Sequence, residues 1–212
     1  MTGKPLDIER TTLVLLAAGQ STRFGHADKL DEEFLGRPLG LHVTVALESM
    51  PFAERVAVVD SCRIDYGAHG FRVIANDRAT EGMASSLKLG IACAKATGAD
   101  AVLVALADMP RVTAAHVYRL FDASAGSGSV VASSDGTHPV PPALFGRDRF
   151  DTLLALTGSA GARELIRGGR HVVTAPAELI DVDTPADLAR LRALVHSPEA
   201  ITRATARRVN PD

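Results

Sequence analysis

Gly19, Ser21, Arg23, Gly25 and Lys29 fall within eleven positions directly behind the apolar run Leu13 to Ala18. Glycine and serine let backbone N–H groups approach an anion without side-chain obstruction, and the two cations add a positive field. A triphosphate requires both, because its charge must be met by short directional donors as well as by net attraction. Two familiar phosphate loops do not fit. Gly19 and Gly25 are six apart with no glycine between them, so G-x-G-x-x-G is missing, and His26 follows Gly25, so the Gly-Lys-Ser/Thr of a Walker A loop is missing too. Lys29 is placed by this reading in a solvent-facing loop.

Carboxylates come next. Asp108 ends the apolar run AVLVALA and precedes Met109-Pro110. A helix N-cap is one reading of it, but Thr113 stands nearer the next helix start, which leaves Asp108 to face the same sheet edge as Gly19 and to hold a metal. Magnesium suits the position, since it takes oxygen ligands and commonly binds through one or two carboxylates plus substrate phosphates. Asp181 and Asp183 share one face of an expected short strand, Ile180 to Asp183. Thr184, followed by Pro185 and Asp187, caps the next helix by itself. One of the two aspartates is then a second metal ligand, with Asp183 ahead of Asp181. Behind another strand, Asn76-Asp77 and Glu81 to Leu87 form a second polar loop. Ser85 and Ser86 there sit at a helix start, where they either cap it or touch the base or ribose of a nucleotide.

The elements that must position these groups alternate. Leu13 to Ala18 is too short to span a membrane and too uniformly apolar for a half-exposed strand, so it reads as a central strand buried on both faces. Pro38 suits a first helical position, with Leu39, Val43, Ala46, Leu47 and Met50 following at helical spacing until Pro51. Arg55 to Asp60, Phe71 to Ala75 and Ala101 to Ala107 read as strands, and Gly82 to Thr97 and Thr113 to Asp122 as helices, the pattern of a parallel sheet with covered faces. Ala123 to Ser129 is a short linker. Val130 to Ser133 and Val140 to Phe145 read as strands at the sheet edge. Helices follow at Arg149 to Leu156, Gly161 to Arg167 and Pro185 to Val195. His42 and His116 fall within helices and read as packing residues.

Bounds from composition agree with a small-molecule enzyme. The 212 residues suffice for one sizeable core, giving a single domain over 1–196 and a mobile tail over 197–212. With 23 basic and 25 acidic residues the formal charge is −2, so no global field draws the chain to nucleic acid or an anionic membrane. Cys62 and Cys93 stand alone, which argues against a zinc site or a disulfide framework and fits a reducing, cytoplasmic setting, as does the polar start MTGKPLDIER. No Ser-His-Asp or Cys-His arrangement can be assigned.

Seven segments, in order, resemble the MobA-like nucleotidyltransferases: LAAGQSTRFGHADKL, FLGRPL, EGMASSLKLG, ALADMP, HPVPPALFGRDRF, LLALTGSAGARELI and DVDTPADL. Residues 12 to 195 are covered, and the molybdenum cofactor cytidylyltransferase branch is the most similar. The resemblance implies a three-layer α/β/α, Rossmann-like sandwich around a mostly parallel sheet, of the nucleotide-diphospho-sugar transferase type. It implies magnesium-dependent transfer of a nucleoside monophosphate from an NTP to a phosphate of the molybdopterin cofactor, with release of pyrophosphate. On this chain the Leu16, Ala17, Ala18 and Gly19 backbone would hold the base and triphosphate, and Arg23 and Lys29 the phosphates. Asp77 would touch the nucleotide, Asp108 would hold magnesium and Asp183 would complete the metal site. Ala18 stands where the guanylyl branch tends to have glycine, which favours CTP over GTP. Asp31-Glu32-Glu33 and Ser159 depart from the family pattern near the face of the second substrate. The rival readings are a sugar- or polyol-phosphate acceptor, a related oxidoreductase, and a non-catalytic carrier that hands molybdenum cofactor to a molybdoenzyme apoprotein. The missing nicotinamide fingerprint disfavours the oxidoreductase.

Overall fold

In β1 (Thr11–Ala17) all seven residues are buried, and their side chains alternate between two cores. Leu13, Leu15 and Ala17 face one, Val14 and Leu16 the other. A strand that is apolar on both sides can lie only in the middle of a covered sheet. Each fully buried Leu or Val there contributes roughly 1.5–3 kcal/mol. The computed structural model describes residues 3–24, 28–157 and 162–196. Gly25, His26, Ser159, the Gly161 helix start and the 197–212 tail lie outside them.

After β1 the described elements run β2 (Glu33–Phe34), β3 (Arg37–Pro38), α1 (His42–Ala46), β4 (Glu54–Val59), β5 (Arg72–Ala75), α2 (Met83–Ala96), β6 (Ala101–Leu106) and α3 (Ala114–Asp122). There follow β7 (Val130–Ser134), β8 (Pro139–Gly146), α4 (Phe150–Ala155), α5 (Arg163–Arg167), β9 (Arg170–Val173) and α6 (Pro185–His196). Seven strands form one sheet in the order β5-β4-β1-β6-β8-β7-β9, with β2 and β3 pairing apart as a small hairpin. All neighbours are parallel except β8, which runs antiparallel to both β6 and β7. Residues of α1 and α3 pack one face, and residues of α2, α4 and α5 the other. This is a three-layer α/β/α sandwich around a mostly parallel sheet, as expected.

Two contacts show how tightly the layers meet. A Cβ built on Gly90 of α2 would lie 2.3 Å from Cγ1 of Val14 on β1, so only glycine lets this helix sit so close to the central strand. On the other side a third cluster, Phe34, Leu39, Val182, Leu188 and Leu191, joins the β2–β3 hairpin to α6.

Three expectations are corrected, and one strand appears that the sequence reading did not contain. Pro38 does not begin a helix: it closes β3, and the following turn starts as a 3-10 segment, Leu39–Leu41, before α1. The segments Val130–Ser134 and Pro139–Gly146 are interior: β8 lies between β6 and β7, and β7 lies between β8 and β9, which takes the edge. Arg170–Val173 carries no alternation that would mark it as a strand, and only pairing with β7 makes it one. Ile180 to Asp183 is not a strand. Its one described tie to the sheet end is Val182 N–H donating to Asp108 O at 3.0 Å.

Candidate active site

β1 and β6 lie side by side with Leu16 opposite Leu106, and Ala107 N–H continues the ladder to Leu16 O at 3.0 Å. The glycine loop and Asp108 therefore leave the sheet from adjacent strand ends, where open α/β sheets bind ligands. The chain turns through a 3-10 segment, Thr22–Phe24, and returns through another, Lys29–Asp31. Val182 N–H, donating to the Asp108 carbonyl, draws the segment before α6 over the same spot.

Four charges meet there. Lys29 Nζ donates to Asp108 Oδ2 at 2.7 Å and to Asp183 Oδ1 at 3.0 Å, and Arg23 Nη2 lies 2.7 Å from Asp183 Oδ2. Lys29 is 6% exposed, which corrects the solvent-facing placement. Its stem runs along Gly19, where an added Cβ would stand 3.8 Å from Cε. Burial pushes the Lys29 pKa down, but the charges and hydrogen bonds of Asp108 and Asp183 outweigh it and hold the pKa above the usual lysine value. For Asp183 burial pushes upward, and Lys29 and Arg23 overcome it, leaving the carboxyl below its usual range. Asp108 is pushed up, mainly by burial; Lys29 opposes, while the carboxylates of Asp181 and Asp183 add to the rise.

The donor set decides what a cation would meet. Asp108 Oδ1 is buried and has no hydrogen-bond partner among the described residues, so one carboxylate oxygen fits a hard cation. Both oxygens of Asp183 are engaged by Lys29 and Arg23. Among the described residues no three His, Cys, Asp or Glu side chains gather as a metal cluster. Magnesium held here would thus take one carboxylate oxygen from Asp108, and water and phosphate for the rest.

The remaining sequence-derived residues divide. Ala17 and Ala18 are buried at the end of β1, and Gly19 is exposed. Leu16 packs its side chain in the core and spends its carbonyl on Ala107. Ser21, at φ 46°, takes a left-handed conformation uncommon for a residue other than glycine. Ser85 and Ser86 turn inward: the buried Asn76 donates through Nδ2 to Ser85 Oγ at 2.9 Å and to Ser86 Oγ at 2.8 Å, while its Oδ1 accepts from Arg78 N–H. Asp77, next to Asn76, is exposed beside an open groove bordered by Arg78, Ser85 and Lys88. Thr113 accepts from His116 N–H, and Thr184 and Asp187 cap each other's backbone, so neither Asp108 nor Asp183 is needed as a cap.

Sequence reasoning missed a second recess. A cleft of about 220 Å³ beyond Asp108 is lined by Leu106, Met109, Val140, Ile166 and Leu179, with Arg163 and Asp181 as its charged groups. Leu106 and Met109, Val140, and Arg163 and Ile166 lie in three of the segments quoted above, but nothing in their spacing along the chain shows that they meet. Asp181 belongs to this cleft, while Asp183, two residues on, belongs to the ion cluster.

Comparisons with known proteins agree with this fold. Purine catabolism protein PucB of Bacillus subtilis is 31% identical over 199 residues, covering 84% of this chain and 94% of that one. Molybdenum cofactor guanylyltransferase of Cereibacter sphaeroides is 30% identical over 191 residues, covering 86% and 95%. The crystal structure of the Mycobacterium tuberculosis Rv0371c homologue from Mycobacterium sp. strain JC1 superposes with a TM-score of 0.74 at 26% identity, over 90% of this chain and 99% of that one. The model of the MobA-like NTP transferase domain matches residues 13–175, a span that opens on β1 and takes in the glycine loop, Lys29 and Asp108, and the chain belongs to that family.

Proposed function

We propose that this protein transfers CMP from CTP to a phosphate of a molybdopterin-type acceptor and releases pyrophosphate. The observation that carries the reading is the cluster of Arg23, Lys29, Asp108 and Asp183 at the adjoining ends of β1 and β6. In such a transfer an anionic acceptor oxygen forms a bond to the α-phosphorus while the bond from that phosphorus to the bridging oxygen breaks. No general base is needed, so catalysis is mostly positioning and charge stabilisation. Lys29 uses two of its three ammonium N–H groups on Asp108 and Asp183 and keeps one for a phosphate oxygen. Arg23, its side chain largely exposed, pairs among the described residues with Asp183 through Nη2, and its other donors can follow charge onto the leaving pyrophosphate. Magnesium on Asp108 would supply further neutralisation of the phosphates.

The cleft beyond Asp108 supports the acceptor class. Its walls are mostly apolar, with one cation and one anion. A sugar or polyol phosphate, with a hydroxyl on nearly every carbon, would leave those groups unpaired there, whereas a flat heterocycle has a face to bury. For the base, the support is Ala18, buried at the end of β1, whose methyl crowds a purine more than a pyrimidine. No helix among the described residues is long and apolar enough to cross a membrane, in keeping with work on small dissolved substrates in the cytoplasm.

The test is pyrophosphate release with magnesium and either CTP or GTP, each with and without molybdopterin. Release that requires CTP and molybdopterin together is expected. Release with a sugar phosphate in its place would move the acceptor class, and tight molybdopterin binding without release would make the protein a carrier.

A further inference from the structure

One oxygen of Asp28 closes the phosphate loop. Its Oδ1 accepts from Ser21 Oγ–H at 3.0 Å and from Leu30 N–H at 3.0 Å, and Ser21 Oγ in turn accepts from Lys29 N–H at 3.1 Å. Two of these hydrogen bonds tie the outgoing limb of the loop, at Ser21, to the returning one at Asp28 and Lys29, and the third caps the Lys29–Asp31 turn from within the returning limb. The tie holds Ser21 at φ 46°, a conformation that side chains rarely adopt and that relaxes unless its surroundings enforce it. On the far side, Leu30 is buried in the core beneath α1, so the returning limb is anchored as well as tied. Asp28 itself pairs with none of the cations of the cluster; its recorded partners are the hydroxyl of Ser21 and the backbone of Leu30.

We propose that Asp28 is the positioning residue that presents Lys29 to the site, a role that rests on the nucleotidyltransferase reading above. A lysine side chain has four rotatable bonds, and its ammonium reaches Asp108 and Asp183 together only if its own backbone is fixed. When the work of a site is placement, a shift of about 1 Å in a charged group costs roughly a hundredfold in rate. Asp28 acts through Lys29 and needs only an acceptor oxygen to do so.

The test uses Asp28→Ala, Asp28→Asn, Lys29→Ala and the Asp28→Ala/Lys29→Ala double variant of the full chain. Two quantities are read: amide hydrogen exchange at Lys29 and Leu30 by NMR, and calorimetric affinity for magnesium–CTP and magnesium–GTP. In Asp28→Ala, exchange at both amides should accelerate and affinity for the nucleotide that binds should fall, each by roughly tenfold, the worth of a lost hydrogen-bonded tie. Asp28→Asn keeps the acceptor and should stay within about twofold of the wild type. The double variant should bind no worse than Lys29→Ala, because a residue that acts through Lys29 has nothing left to position. A merely structural Asp28 would instead lower affinity additively with Lys29→Ala, and that result would overturn the proposal. So would unchanged exchange in Asp28→Ala. If Asp28→Ala does not fold, Ser21→Gly removes the Lys29 N–H acceptor while easing the positive φ; exchange at Lys29 should then accelerate and nucleotide affinity fall, and unchanged exchange at Lys29 would overturn the proposal. Wild-type protein that binds neither nucleotide would sink the nucleotidyltransferase reading, while exchange at Lys29 and Leu30 would still decide whether Asp28 sets the position of the lysine.

Discussion

Lys29 and Asp108 stand 79 residues apart in the chain, yet Nζ of the one donates to Oδ2 of the other at 2.7 Å. The pair exists because β1 and β6 are parallel neighbours, so the loops after them leave the sheet together. Whatever displaces Lys29 from Asp108 also changes the charge that a metal or phosphate would meet.

Lys29→Ala should affect both stability and turnover. The lysine is buried, and its removal strips Asp108 of its recorded side-chain partner and Asp183 of one of two. Leaving such groups unpaired costs about 2 kcal/mol, a fall in Tm of roughly 4–8 °C for a chain of this size. Pyrophosphate release should fall on the order of 100- to 1,000-fold. A melt and an activity assay on the same preparation check both; an unchanged Tm would mean that the lysine is not packed between the carboxylates.

Asp108→Asn should remove magnesium dependence with little change in folding. Burial already pushes the Asp108 pKa up, so exchanging the carboxylate for an amide removes a desolvated charge as well as the attraction to Lys29. The two effects oppose, and the net change in stability should stay within about 1 kcal/mol. Magnesium titration followed by calorimetry should lose its signal in the variant, and unfolding of the variant would assign Asp108 to the scaffold.

Gly90→Ala should destabilise the protein despite alanine's higher helix propensity. The new methyl would overlap Val14 Cγ1, and overpacking of that kind costs about 1–3 kcal/mol against a propensity gain of about 1 kcal/mol. Urea denaturation of Gly90→Ala and of the Gly90→Ala/Val14→Ala pair checks this. The pair should be less destabilised than the sum of the two single variants.

His116 should make the protein less stable in mild acid. It is buried, its Nε2 bonds to Ser133 Oγ, and burial pushes its pKa down; Glu178 opposes this and Arg119 adds to it. Ser133 Oγ gives its own proton to Pro142 O, so Nε2 of His116 is the donor to Ser133. An unfolded histidine titrates near about 6.5. Below that pH the unfolded chain takes a proton that the folded chain refuses, so stability is retained above about 6.5 and lost as pH falls toward the lower folded value. The slope from one such proton is at most about 1.4 kcal/mol per pH unit. His116→Gln keeps a donor for Ser133 and should flatten the fall in Tm between about pH 7.5 and 5.5; equal slopes would count against a neutral buried His116.

Ala18→Gly should improve GTP binding relative to CTP. One methyl at the wall of a site discriminates by only about 1–3 kcal/mol, so the wild-type preference for magnesium–CTP should be tens-fold and the variant's smaller. Calorimetry on both proteins checks this, and equal wild-type affinities would leave the base unassigned.

What the sequence determined by itself was whatever depends on neighbours along the chain. The uniformly apolar β1 announced a strand buried on both faces, and Thr113 and Thr184 announced the caps that left Asp108 and Asp183 for other work. Tertiary structure decided everything that depends on which strands become neighbours. Arg170–Val173 is a strand only because β7 offers it a partner, and that pairing moves β7 into the sheet interior, where β8 already lies between β6 and β7. Lys29 is buried because Asp108 and Asp183 arrive from 79 and 154 positions away, and the same arrival occupies both oxygens of Asp183 while leaving Asp108 Oδ1 without a recorded partner. Side-chain periodicity reports which face of an element is apolar, but a hydrogen bond between distant residues depends on register and distance, and those exist only after the sheet has assembled.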